Sequence, residues 1–164
     1  MIHYIEQASP VGALLIAATE RGICGIYFEE HKHFKGKDDW QPAIVGEPAH
    51  GHLLKAAEQL SDYFAGERRS FDVALDLSGT PFQQTVWTAL CAIPFGRSVS
   101  YAQHAQRLGK PTALRAVGAA IGRNPVSIIV PCHRVLGTSG TVTGYAGGLE
   151  RKRFLLALEN IAVR

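Results

Sequence analysis

A chain of 164 residues with 46% apolar and 19% charged residues suits one globular domain or two small ones, and excludes a disordered polyampholyte. No stretch approaches the roughly 18 uninterrupted apolar residues of a membrane span. The start, Met1-Ile2-His3-Tyr4-Ile5-Glu6-Gln7, lacks the basic and apolar regions of a signal peptide. Three widely spaced cysteines (Cys24, Cys91, Cys132) fit no metal pattern and point to free thiols in a reducing, cytoplasmic setting. The net charge of +3 is unevenly spread: residues 1–96 carry seven basic and twelve acidic residues, net −5, whereas residues 97–164 carry ten basic and two acidic, net +8. A basic half of this kind implies a polyanionic partner, with nucleic acid the first candidate.

Short apolar runs at Ile2–Glu6, Ala13–Ala18 and Ile23–Phe28, separated by Ser9-Pro10-Val11-Gly12 and Glu20-Arg21-Gly22, predict a three-stranded meander. His31–Asp39 reads as a polar loop. From Pro48 to Gly66 the period becomes helical, with Leu53, Ala57, Leu60 and Phe64 on one stripe. Phe71–Leu77 alternates apolar and polar residues and predicts a further strand or extended segment. Ser78-Gly79-Thr80-Pro81 then marks a boundary, giving domains 1–78 and 79–164.

Pro81 opens a helix with Phe82, Val86 and Leu90 on its apolar face; Trp87 and Cys91 are expected in the core. After the break at Ile93-Pro94-Phe95-Gly96, helices at Tyr101–Leu108 and Thr112–Ile121 flank Gly109-Lys110-Pro111, the spacing of a helix-turn-helix. The second helix places Leu114, Val117 and Ile121 on an apolar stripe. Arg115, Gly118, Ala119 and Gly122 share another face. Glycine costs a helix about 1 kcal/mol relative to alanine, so two of them need a reason: a surface such as a nucleic-acid groove that approaches the backbone closely, or close helix–helix packing. The lone arginine favours the groove. The last helix, Leu149–Asn160, carries Phe154, Leu155, Leu158 and Ile161 as its stripe, with Glu159 at its edge needing a partner.

Between these helices Val126-Ser127-Ile128-Ile129-Val130 predicts a buried strand that delivers Pro131-Cys132-His133-Arg134 to its end, before a glycine-rich loop. A thiol beside an imidazole has the makings of a nucleophile and its base, or of a structural cysteine beside an ordinary histidine.

With Asn124-Pro125-Val126 before the Pro-Cys-His-Arg tetrad and Gly144-Tyr145-Ala146-Gly147-Gly148 after it, the sequence resembles the O6-alkylguanine-DNA alkyltransferases. The likeness is strong over residues 80–160 and weaker before them. It implies an α/β fold: a ribonuclease-H-like sheet-and-helix domain followed by a mostly helical, winged helix-turn-helix-like one. It also implies irreversible, single-turnover transfer of an alkyl group from O6 of guanine to Cys132, with the base flipped out of the duplex and no cofactor. In that scheme His133 activates the thiol through a water and is oriented by Glu159. Tyr101 protonates the departing guanine, and Asn124 holds the helix-turn-helix against the active-site loop. Arg115 fills the vacated stack in the minor groove, with Thr112, Gly118, Ala119, Arg123 and Arg134 at the DNA. Tyr145, Ala146, Val135 and Ser127 line the base pocket. The implied partner is double-stranded DNA, bound by a monomer, with several molecules able to share one duplex.

Two departures from the family pattern matter. Thr19 stands where some relatives carry a zinc-binding cysteine, so no such metal is expected. Ser127 stands where some carry proline against bulky alkyl groups, so reaction with O6-benzylguanine is expected to be weak. The rival readings are a cysteine hydrolase acting on a carbonyl, and a lesion sensor or DNA-binding regulator that binds without transfer.

Overall fold

A computed structural model describes all residues, Met1–Arg164, as two compact units, Met1–Ser78 and Gly79–Arg164. In the first, β1 (His3–Gln7), β2 (Leu14–Ala18) and β3 (Ile23–Tyr27) form the expected antiparallel meander. A two-residue strand, β4 (Gln41–Pro42), adds parallel to β1, so the order is β3-β2-β1-β4. Proline starts the covering helix α1 (Pro48–Phe64), whose Leu53, Ala56, Leu60 and Tyr63 are buried. The stripe is thus carried by Ala56 and Tyr63 beside Leu53 and Leu60, while Ala57 and Phe64 are only half-buried.

Phe71–Leu77 makes a single bridge, Ile23 to Leu75, instead of a full strand. Gln59 of α1 holds its backbone: the amide donates to Asp72 O (3.3 Å) and accepts from Asp72 N (2.8 Å). Those bonds replace a ladder. Gly22 lies against the segment so closely that a Cβ would stand 2.6 Å from Ala74 backbone atoms. Thr19 donates to Asp76 Oδ2 at 2.6 Å.

The second unit is mainly helical. Thr80 caps α2 (Pro81–Leu90) through a capping box with Gln83. Ser100 does the same with Gln103 for α3 (Tyr101–Arg107), and α4 (Leu114–Gly122) follows the turn. Val86, Trp87 and Leu90 of α2 are buried with Val117, Ala120 and Ile121 of α4, and Trp87 Nε1 donates to Ala120 O at 2.7 Å. Leu114, expected in that stripe, is exposed, as is Cys91 at the end of α2. β5 (Val99–Ser100) runs parallel to β6 (Val135–Leu136). α5 (Leu149–Leu158) buries Leu155 and Leu156, whereas Phe154 of the expected stripe is exposed. No helix is long and apolar enough to cross a membrane.

Candidate active site

The apolar run before the cysteine is buried, as its composition demands, but it is not a strand. Val126, Ile128 and Val130 are fully enclosed, and the backbone turns twice. Ile129 N donates to Ser127 O at 2.8 Å across Ile128, whose φ is 72°. This is a γ-turn with positive φ, a strained conformation for a β-branched residue. Cys132 N then donates to Val130 O at 2.8 Å across Pro131 (φ −83°, ψ 62°), the relaxed inverse γ-turn. Asn124 fastens both ends of the strained turn: its Nδ2 donates to Val130 O at 2.8 Å, and its Oδ1 accepts from Val126 N at 3.0 Å. A side chain that satisfies one donor and one acceptor of a buried segment replaces the missing ladder.

The turns deliver Cys132, His133 and Arg134 as one turn of 3-10 helix. Cys132 is 7% exposed and His133 fully buried. His133 Nε2 lies 2.6 Å from Glu159 Oε2. Arg134 donates its Nε to Oε1 (2.8 Å) and one terminal nitrogen to Oε2 (3.2 Å), while the other meets Ile93 O at 2.6 Å. Gly96 N adds a bond to Oε1 at 3.2 Å. A carboxylate so clamped by a guanidinium stays ionised and cannot donate, so the histidine proton sits on Nε2. Nδ1 is left as the acceptor, buried and without a hydrogen-bond partner.

Glu159 is held in place by its own helix end. Asn160 adopts φ 58°, Ile161 N donates to Leu156 O, and Asn160 N donates to Ala157 O. This is the Schellman arrangement. Its apolar clasp is the cluster of Ile161 and Leu156 with Leu136 and Val142. The carboxylate flagged in the sequence as needing a partner therefore meets His133, Arg134 and the Gly96 amide.

Burial, which penalises the charged forms, pushes the Cys132 thiol up and His133 down from their ordinary values. The Asn124 amide and the Lys152 ammonium oppose the shift at Cys132; the Glu159 carboxylate opposes it at His133. The resting pair is a neutral thiol beside a neutral imidazole.

The pairing of Val99 with Val135 and Ser100 with Leu136 puts Tyr101, first residue of α3, beside the chain that leaves the 3-10 turn. Its hydroxyl donates to Thr143 O at 3.3 Å, and burial raises its pKa, so it holds its proton. Val135 and Ser127 are buried; Tyr145 and Ala146 are half-buried. Arg115, Ala119, Thr112 and Arg123 are exposed and Gly118 half-buried, clustered on and around α4. A Cβ built at Gly122 meets nothing within 4 Å, and at Gly118 only Tyr101 Cδ1 at 4.0 Å. No packing within the chain requires either glycine. Arg134 departs from expectation: it is 5% exposed with its guanidinium on Glu159 and Ile93. That side chain faces inward because the Glu159 carboxylate, at the C-terminal cap of α5, claims it, and it is not available to DNA.

One residue escaped the sequence reading. Lys152, within Glu150-Arg151-Lys152-Arg153, has the composition of a solvated face, yet it is completely buried. Its Nζ donates to Thr143 O (2.7 Å) and Gly144 O (3.2 Å). Only the fold of the loop 143–148 back onto α5, which local sequence does not report, could have revealed it.

Comparison with known proteins places this geometry. The profile described as the 6-O-methylguanine DNA methyltransferase ribonuclease-like domain matches residues 2–77, and the one described as the DNA binding domain of the same enzyme matches residues 81–161. The chain is 48% identical over 159 residues to a methylated-DNA–protein-cysteine methyltransferase of Mycobacterium tuberculosis, covering 97% of this chain and 93% of that one. It is 44% identical over 165 residues to the constitutive methylated-DNA–protein-cysteine methyltransferase of Bacillus subtilis, covering 100% and 99%. The crystal structure of Mycobacterium tuberculosis OGT in complex with DNA superimposes with a TM-score of 0.86 at 47% identity, over 96% of this chain and 92% of that one. The chain belongs to the methylated-DNA–protein-cysteine methyltransferase family.

Proposed function

We propose that this protein repairs DNA directly, moving an alkyl group from O6 of guanine to its own Cys132 in a single irreversible turnover. The observation that carries the mechanism is the imidazole of His133, which Glu159 fixes through Nε2 while its buried Nδ1 has no protein hydrogen-bond partner. In this reading the thiol proton passes through a water to Nδ1 as sulfur attacks. A new S–C bond forms on the side opposite the breaking C–O6 bond, and the electron pair of that bond stays with the guanine. The Tyr101 hydroxyl gives the leaving base a proton. The imidazolium returns one to the tyrosine side, so the thiol proton ends on guanine. The thioether does not leave, which makes the reaction stoichiometric.

O6 and its alkyl group lie inside the duplex, and Cys132 is nearly closed to solvent, so the base must be rotated out. The open face of α4, with Gly118 and Gly122 bare of internal contacts and Arg115 exposed, suits close approach to a minor groove, with Arg115 replacing the extruded base. Thr112, Ala119 and Arg123 belong to this surface. Tyr145, the backbone of Val135 and Ala146, and Ser127 form the walls for the flipped guanine, and Asn124 keeps the strained turn in register with α4. The protein acts as a monomer, several of which can occupy one duplex.

The test is incubation with duplex DNA carrying O6-[methyl-labelled] guanine. Label is expected on the peptide containing Cys132, once per molecule, and absent from Cys132→Ala. Binding of the lesion without transfer would instead make the protein a sensor.

A further inference from the structure

We propose that His104 is a pH-sensitive latch: its neutral imidazole seats α3, the helix that starts at Tyr101, on α2, and its protonation frees α3 and weakens binding to the duplex. The inference uses the DNA-binding role of the second unit and is independent of the chemistry at Cys132.

α3 presents two residues inward, His104 and Ala105, both fully enclosed. His104 Nε2 lies 3.3 Å from Val86 O on α2. A carbonyl oxygen only accepts, so the proton sits on Nε2. Nδ1 is buried and has no hydrogen-bond partner. The neutral ring thus makes one bond across the seam, and its second nitrogen stays an unused acceptor. An added proton would turn Nδ1 into a buried donor with nothing to receive it, and would place a charge in the core.

The surroundings give that charge no relief. Residues 79–122 contain no aspartate or glutamate. α2 has no ionisable side chain before Cys91 at its cap, and β5 and β6, which flank α3, have none. α3 itself adds Tyr101 and Arg107, the turn adds Lys110, and α4 only Arg115. Burial raises Cys91 and Tyr101, so both hold their protons; the other three are exposed cations. Burial holds His104 below its ordinary value; the bond to Val86 O opposes the shift and Arg107 adds to it.

At neutral pH the latch is closed. In acid the ring takes up a proton by leaving the seam, where water solvates both nitrogens. α4 keeps its own tie to α2, Trp87 Nε1 to Ala120 O at 2.7 Å, so the opening separates α3 from the α2–α4 pair. Tyr101 moves with α3, and the helix-turn-helix loses the packing between its two helices.

The test compares the parent chain with His104→Gln, whose amide donates to Val86 O but does not titrate, from pH 8 to 5 at constant ionic strength. Binding to a fluorescein-labelled duplex is read by anisotropy, and opening by hydrogen exchange. The parent-to-variant ratio of Kd is expected to stay near one above about pH 7. Below about pH 6.5 it should climb toward tenfold per pH unit as the open form comes to dominate. Peptides of α3 are expected to lose protection in the parent over the same range, ahead of those of α1, α2 and α5, and to keep it in His104→Gln. An acid response equal in both chains assigns it to another group, such as His133, and overturns the proposal; so does a parent chain with no acid response. Should His104→Gln fail to fold, exchange in the parent decides: α3 opening no earlier than the rest of the second unit refutes a local latch. Neither readout involves alkyl transfer, so a chain that behaves as expected yet takes no methyl from DNA refutes the repair reading alone.

Discussion

Glu159→Gln probes the relay at its fixed end. The carboxylate accepts from His133 Nε2, from two nitrogens of Arg134 and from Gly96 N. Glutamine keeps the shape but offers one oxygen, and turns an NH2 toward either the guanidinium or the imidazole, both of which donate. The buried guanidinium, 5% exposed, then lacks its counter-charge, and breaking a buried pair from one side costs about 3–5 kcal/mol. The histidine loses the acceptor that fixes its tautomer. General-base assistance is worth about 10²–10⁴ in rate, so transfer by the folded variant at pH 7 is expected to slow by a factor in that range. The rate should climb about tenfold per pH unit as hydroxide replaces the imidazole. Denaturant unfolding gives the stability, and quenched-flow transfer from labelled DNA gives the rate on the folded fraction. A variant that unfolds earlier but transfers at the parent rate would refute the relay. One that is slow yet equally stable would refute the energetic coupling of Arg134 to Glu159.

Arg115→Ala is expected to slow repair in duplex DNA far more than reaction with free O6-methylguanine; equal losses on both would remove its role in the stack. Gly118→Ala should stabilise α4, on the order of 1 kcal/mol, because the new Cβ meets only Tyr101 at ordinary contact distance, and should weaken duplex binding in a fluorescence titration. Unchanged binding would leave the small-residue face unexplained by DNA. Stability should follow pH in two windows. His104 and His133 are pushed down by burial, so the unfolded chain takes up protons that the native one refuses, and stability falls as pH drops below about 6.5. Lys152 is lowered from 10.5 to about 8, so its burial costs roughly 3 kcal/mol below pH 8, relieved as pH rises toward 10.5. Cys24, raised to about 11, pulls the other way in that range, so the contribution is read as the difference between the parent chain and Lys152→Met. O6-benzylguanine is expected to react more slowly than O6-methylguanine in DNA if, as proposed, Ser127 lines the base pocket; equal second-order rates would contradict this.

The regular framework was legible because it is built from local signals. Three apolar runs with turn residues between them gave β1 to β3, and Pro81 after Thr80 gave the start of α2. What sequence periodicity could not resolve was the conformation of Val126–Val130. A short β-branched run reads as a buried strand, and burial was right, but Asn124 supplies the partners a neighbouring strand would have supplied. The pairs Gln41–Pro42 and Val99–Ser100 are too short to leave a pattern. At the site, Cys132 and His133 announced themselves as neighbours, whereas Glu159 could be tied to them only through family resemblance. Its own sequence context said merely that a carboxylate on an apolar edge needs company. Arg134 was assigned to the DNA and Lys152 was passed over for one reason: basic residues in a basic half look solvated, and only tertiary contacts reveal which of them are drawn inward.

The central claim is that the protein is its own alkyl acceptor. Intact-mass spectrometry after incubation with excess O6-methylguanine duplex tests it most directly. The account requires each molecule to gain a single methyl, located on Cys132 by peptide fragmentation, with guanine restored in the DNA in equal amount. Repeated turnover without a mass change, or a methyl on any other residue, would contradict it.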